Sequence, residues 1–318
     1  MESVGVTPRG DAANTPKLVN TILKESPVPI ERVVICRASS SQIQSIVGKW
    51  PFVVLGLSQK DLDYYMKRQH TTTIEGRLPH PGEPEAIISD PVARNLHLSI
   101  GSTVLGPNVQ DAYSPYNVKV VGIAHTDRWF ILDTIEYQRA NHFPPIDLAM
   151  VFSHNLKDQN VLDHWAVERF KGQRALLYTY FKVEKETKEM FATLFLILNV
   201  VITMMVFMIT LMMAMLINIY QNQRLVEFGL LQAIGYTKSR IIQRCLLENV
   251  IIVILGWGMG LGLALGTLIW LKGVLMDPHA FALDVYDRLA YQYTIPVPVT
   301  ILIVAAGSVL WRLSLIHI

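Results

Sequence analysis

Two charge-free runs constrain this chain more than anything else in it. Met190–Gln223 and Asn249–Leu271 contain no Asp, Glu, Lys or Arg. As helix, each spans the ~30 Å bilayer core, which needs roughly 20 apolar residues. A third charge-free run, Leu289–Trp311, meets the same test. In hydrocarbon the backbone must satisfy its own hydrogen bonds, so such runs are helices or nothing. Their share of the sequence lifts the chain to 51% hydrophobic residues. The apolar residues crowd into the last part of the chain, and residues 1–190 have ordinary composition.

The chemistry of the second half lies in the loop between the first two runs, Gln221–Glu248. It carries Arg224, Lys238, Arg240 and Arg244. Lys272–Thr294 carries Lys272 and Arg288 against Asp277, Asp284 and Asp287. The positive-inside rule therefore puts the first loop in the cytoplasm. The second loop and residues 1 to about 190 are then extracytoplasmic. Within the first loop, Leu225, Phe228, Leu231 and Ile234 recur at helical spacing, predicting one apolar face. Gly235 suits a left-handed stop and Thr237 a cap for the next helix. Such a face needs lipid headgroups or a partner protein.

The run Glu227-Phe228-Gly229-Leu230-Leu231-Gln232-Ala233-Ile234-Gly235 resembles the E-[IF]-G-[LI]-L-[RQ]-A-[IL]-G signature of FtsX/MacB-type ABC transporter permeases. The likeness continues through Lys238, Arg240 and Leu246-Leu247-Glu248 into the glycine-rich second run. It implies that the short helix is a coupling helix docking on a separate ABC-type ATP-binding subunit. The implied docking residues are Arg224, Leu225, Glu227, Phe228, Gly229, Leu231, Ala233, Ile234 and Gly235. It also implies a second permease subunit, a homo- or heterodimer, and a bacterial inner-membrane location. Export, lipoprotein release or extracytoplasmic force transmission are the functions it implies.

The first half mixes strands and helices irregularly, which favours an α+β fold. Strands are predicted at Val33–Ile35, Phe52–Leu55, Ala86–Ile88, Val118–Ile123 and Leu176–Val183. Helices are predicted at Pro16–Lys24, capped by Thr15, and at Gln59–Arg68. Glu75-Gly76-Arg77-Leu78-Pro79-His80-Pro81-Gly82-Glu83 is a turn cluster, and Asp90 is placed to cap a short helix through Ala93 and Leu96. With Val120-Val121-Gly122-Ile123, this stretch resembles the periplasmic core domain of MacB-type permeases. The expected plan is an α+β extracytoplasmic domain at 1–184, then an all-α membrane domain at 185–318. That domain has three transmembrane helices, at about 191–220, 249–271 and 290–311. The family has one span before the external domain. Since the N-terminus has no apolar run, a fragment lacking the first span is expected.

The rest of the sequence mostly excludes chemistry. No G-x-x-x-x-G-K-[ST] occurs, so no P-loop is expected in this chain. His125–Asp127 and Asp163–His164 lack a second motif at ligand spacing, so no metal, cofactor or catalytic residue is expected. No basic patch points to nucleic acid. Cys36 and Cys245 read as small buried hydrophobes. The first run is rich in Met, which reads as adaptable packing. Gly258, Gly262 and Gly266 share one helical face, a small-xxx-small pattern for close helix packing. No ionisable residue falls within a span, which argues against an ion-coupled carrier. Two alternatives remain. One is a membrane-anchored sensor or scaffold without an ATPase, and the other is an inverted chain with its large domain in the cytoplasm.

Overall fold

The computed structural model describes residues 4–8, 15–45, 48–110, 112–141, 147–286, 288 and 294–315. Asp287 and residues 289–293 of the third apolar run lie outside that set. The chain divides into two units: Met1–Glu189 with Val274–Ala282, and Met190–Gly273 with Leu283–Ile318.

The first unit is built on a mixed sheet of ten described strands. They are β1 (Val4–Pro8), β2 (Ile30–Ser45), β3 (Gly48–Leu57), β4 (Ile74–Gly76), β5 (Glu85–Ser89), β6 (Thr103–Leu105), β7 (Val118–Ala124), β8 (Ile131–Thr134), β9 (Leu148–Ser153) and β10 (Ala175–Tyr178). Their order is β10-β1-β9-β2-β3-β8-β5-β7-β4, with β6 beside β7. The long β2–β3 hairpin pairs Cys36 with Leu57 and runs to Ser45 opposite Gly48. Parallel pairs β3–β8 and β5–β7 interrupt an otherwise antiparallel sheet.

Both faces of the central strands are covered, so β5 and β8 are buried without alternation. On one face, Ile87 and Leu132 pack with Leu62 and Met66 of α2 (Gln59–Arg68) and with Phe152. On the other, Ile88 and Ile131 pack with Val92 of α3 (Asp90–Leu96) and with Val104 and Leu105. At the β9 end, Ile22 of α1 (Thr15–Glu25) meets Leu162, Ala166 and Phe170 beside α5 (Leu156–Arg169). A short α4 (Ile135–Ala140) follows β8.

In the turn cluster Gly76 has a steric reason, shared with Gly122 of β7. Gly76 and Gly122 face each other across β4 and β7. A Cβ on Gly76 would lie 2.4 Å from the Val121 carbonyl oxygen, and one on Gly122 would lie 2.4 Å from that of Arg77. Arg77 then grips Glu85 with both ends of its guanidinium, while the His80 backbone N–H donates to Glu85 at 2.9 Å.

Three local expectations are corrected. Leu176–Val183 is not one strand: β10 ends at Tyr178, and helix begins at Tyr180. Thr15 does not cap α1 but is its first residue, and its hydroxyl donates to the Asp147 carbonyl at 2.7 Å. Asp90 likewise stands inside α3, with Ser89 at the cap position, and its carboxylate meets His125 Nδ1 at 2.7 Å.

Candidate coupling site

Helix α6 (Tyr180–Gln223) begins in the first unit, and its residues from Met190 belong to the second. Its first turn is seated by Asp163 and His164 of α5 and by Thr179, the residue just before it. Asp163 accepts from the Tyr180 backbone N–H at 3.2 Å, and Thr179 Oγ1 from the Lys182 N–H at 3.1 Å. The His164 ring lies 4.4 Å from that of Phe181. So Asp163–His164 serves as a helix anchor, and burial raises the Asp163 pKa. Lys182–Glu186, Lys185–Glu189 and Glu184–Lys188 pairs support the next turns at i,i+4 spacing.

Among the described residues, two helices are long and apolar enough to cross a bilayer: α6 and the one starting at Lys238. The latter is α8 (Lys238–Leu271). Leu196, Met204, Met208 and Leu263 point outward from them and are largely exposed, as lipid-facing side chains would be. The third apolar run is helical as α9 (Pro296–Leu315), which packs along α8.

Between α6 and α8 stands the short α7 (Leu225–Ala233). Gly235 stops it at φ +100°, with the Tyr236 N–H donating to the Leu231 carbonyl at 3.0 Å, the expected left-handed stop. Thr237 precedes α8 in extended conformation, its carbonyl accepting from Arg240.

The apolar face of α7 differs from the expected one. Phe228 is buried within the chain itself, against Ile241 and Cys245, with Leu231, Ile242 and Leu246 around it. Leu225 and Ile234 are exposed. The reason is helix length: α7 ends at Ala233, and Ile234 lies on the C-cap. Arg224 is also engaged inward. It chelates Glu227 at 2.7 and 2.9 Å, reaches Glu248 at 2.6 Å and Tyr220 Oη at 3.1 Å, and lies over the Tyr220 and Phe228 rings. The Arg224 guanidinium holds the Glu227 carboxyl below its usual range. Arg224 and Phe228 thus fix the angle between α7 and α8.

What remains outward is a different stripe. Val226, Gly229, Leu230, Ala233 and Ile234 are all exposed and fall at i, i+3, i+4, i+7 and i+8. Val226 is 77% exposed, Leu230 60% and Ile234 71%. Val226 and Leu230 are not among the residues expected to dock. The signal for them is the charge pattern: Arg224 and Glu248 mark the side of α7 that faces α8.

A Cβ on Gly258, Gly262 or Gly266 would meet no described atom within 4 Å. The glycine face is therefore open. No group of His, Cys, Asp and Glu able to hold a metal occurs among the described residues.

Residues 199–316 match the FtsX-like permease C-terminal family. The matched segment includes α7 and α8. No curated protein matches the chain. Solved structures show likenesses over part of the chain. The periplasmic region of MacB from Actinobacillus actinomycetemcomitans aligns at 9% identity and TM-score 0.34, covering 59% of this chain and 93% of that one. The extracellular domain of the noncanonic ABC-type transporter YknZ from Gram-positive bacteria aligns at 13% and 0.32, covering 56% and 100%. A domain of a putative permease protein from Porphyromonas gingivalis aligns at 13% and 0.27, covering 55% and 86%.

Proposed function

We propose that this chain is the permease subunit of an ABC transporter, driven by a separate ATP-binding subunit that docks on α7. The observation that carries this reading is the exposed stripe Val226–Gly229–Leu230–Ala233–Ile234, on a short helix between two span-length helices in the segment matched by the permease family. An apolar stripe at these spacings fits a groove in a partner, helix-in-groove. Gly229 and Ala233 let the partner's backbone come close, and Val226, Leu230 and Ile234 supply the apolar anchors. Leu225, Glu227, Leu231 and Gly235 flank or support the stripe, while Arg224 and Phe228 hold it in place from behind.

In this reading α6 is the transmission rod. Its 44 residues reach about 66 Å at 1.5 Å per residue, more than the bilayer requires. Movement of α7 at the cytoplasmic end reaches the extracytoplasmic domain through a helix that Asp163 and His164 fasten to that domain. Two such permease chains, meeting across Gly258, Gly262 and Gly266, would complete the membrane core. α9 would be its third span.

The test is purification from native membranes. The expected result is an ATP-binding-cassette subunit that co-purifies with the wild-type chain and is lost from Leu230→Asp, while the variant stays in the membrane at normal yield. Wild-type chain repeatedly recovered without an ATPase would overturn the reading in favour of a sensor or scaffold.

A further inference from the structure

The segment that follows α8 belongs to the α/β unit. The chain leaves the membrane unit at Gly273, and Val274–Ala282 packs with the domain at the other end of the sequence. Its backbone is compact. Lys272–Met276 closes a π-helical turn, Asp277–His279 a 3-10 turn, and Ala280 takes φ +60°.

The anchor is Asn95, near the end of α3 and fully buried. Its side chain makes three hydrogen bonds, none within α3. Nδ2 donates to the His279 carbonyl at 2.9 Å and to the Gln44 carbonyl at 2.9 Å, and Oδ1 accepts from the Gln44 N–H at 2.8 Å. One buried amide therefore joins α3, β2 and the incoming segment. The His279 ring adds two contacts, Nδ1 to the Leu275 carbonyl at 2.8 Å and Nε2 to Gln44 Oε1 at 3.1 Å. Beyond it, Phe281 stacks on Trp129 with centroids 5.8 Å apart and planes at 22°. A buried polar group that loses its partners costs far more than an exposed one. Asn95 is thus satisfied only while the segment is docked.

We propose that Val274–Ala282 is a docked strap, an intramolecular interaction surface that fastens the end of the second apolar helix to the domain at Asn95 and Trp129. It gives the domain a second mechanical attachment beside α6. The two attachments enter at different places: α6 at α5, and the strap at α3 and the β2–β3 hairpin. A relative shift of α6 and α8 would then act on the domain as a couple, working β2–β3 against β9–α5. The attachment stands whether or not an ATPase docks on α7.

Hydrogen–deuterium exchange on the full chain in lipid nanodiscs tests this. In the wild type, amides of Leu275–Phe281 should exchange at least tenfold more slowly than expected for an exposed loop. Asn95→Ala should speed exchange at least tenfold both in that segment and at Gln44, whose N–H loses its acceptor. Phe281→Ala leaves the domain core intact and should speed exchange in the strap alone. Protection in β5 and β8 should not change in either variant. A strap that exchanges freely in the wild type would overturn the proposal. So would a strap whose protection survives both substitutions.

Discussion

The side-chain amide of Gln138 donates to Asp133 Oδ1 across 2.7 Å, and both residues are fully buried. Asp133 Oδ2 and Gln138 Oε1 have no hydrogen-bond partner among the described residues. Both are acceptors, and a proton on Asp133 Oδ2 would turn one of them into a donor. Gly56, beside Asp133 in the parallel β3–β8 register, makes the room: a Cβ there would lie 2.7 Å from the Gln138 side chain. Burial pushes the Asp133 carboxyl from 3.8 up to about 8.

A stability slope follows. Between pH 3.8 and about 8 the folded domain keeps a proton that the unfolded chain has released. Stability therefore falls as pH rises through that window and levels off above it. Asp133→Asn supplies the missing donor permanently. Its thermal unfolding temperature should match the wild type at pH 4 and exceed it at pH 8, by the worth of a satisfied buried pair, on the order of 1–3 kcal/mol. Unfolding of the detergent-solubilised chain from pH 4 to 8.5 checks this, and a variant less stable than wild type at pH 8 contradicts it.

Glu85 shows the opposite sign. Its hydrogen bonds from Arg77, with those from His80, depress its pKa from 4.5 to about 2. The stability it contributes is present above pH 4.5 and is lost as pH falls toward 2. Arg77 is exposed and solvent screens the pair, so Glu85→Gln should cost only about 1 kcal/mol at neutral pH. It should also flatten the acid limb of the unfolding profile. An unchanged acid limb would show that the grip on Arg77 is not what orders this turn.

Much of the sheet was legible because its strands are apolar at both faces and bounded by turn residues. Ala86–Ile88 and Val118–Ile123 are examples. β1 and β9 were not, since neither carries a local turn signal and their pairing is long-range: β9 lies between β1 and β2. Helix α5 was hidden by its weak amphipathicity, with Gln159 and Asp163 among its buried residues. At the coupling site, the existence of α7 and its glycine stop could be read directly. Which side faces out could not, because Leu, Phe and Val occupy every side of α7. Only the placement of Phe228 against Ile241 and Cys245 decides it. The strap was invisible for the same reason as β9: nothing near His279 signals a partner near residue 95.

Thiol chemistry can report the side of the membrane on which the domain lies. Cys36 is 1% exposed and burial raises its pKa to about 12, so it should resist maleimide until the domain unfolds. A cysteine at Lys171, whose side chain is 77% exposed, should react in intact spheroplasts with an impermeant reagent. Reaction only after permeabilisation would place the domain in the cytoplasm.

The open glycine face separates fold from assembly. A Cβ at Gly262 would meet no neighbouring element among the described residues within 4 Å, so Gly262→Leu should leave the subunit's own stability nearly unchanged. Between two copies it should block close approach, at about 1–3 kcal/mol of overpacking. Gly256→Leu, on the far side of the helix, should be milder. Cross-linking in membranes measures both, and equal loss of dimer would remove the face from consideration.

Phe228 and Leu230 are two residues apart on α7 and should fail in different ways. Phe228 fills the corner with Ile241 and Cys245, so Phe228→Ala removes a buried aromatic, worth roughly 3 kcal/mol. Exchange of the α7 amides should accelerate, and docking of an ATPase should weaken only as a consequence. Leu230 is 60% exposed and outside that cluster. Leu230→Ala should therefore leave α7 exchange unchanged while lowering ATPase affinity about tenfold, or ~1.4 kcal/mol. Glu248→Gln, which weakens the grip on Arg224, should resemble Phe228→Ala and not Leu230→Ala. Exchange measured beside an ATPase-binding titration distinguishes the two. If Phe228→Ala leaves α7 protected but abolishes docking, Phe228 is itself the anchor, and the outward stripe is not the contact.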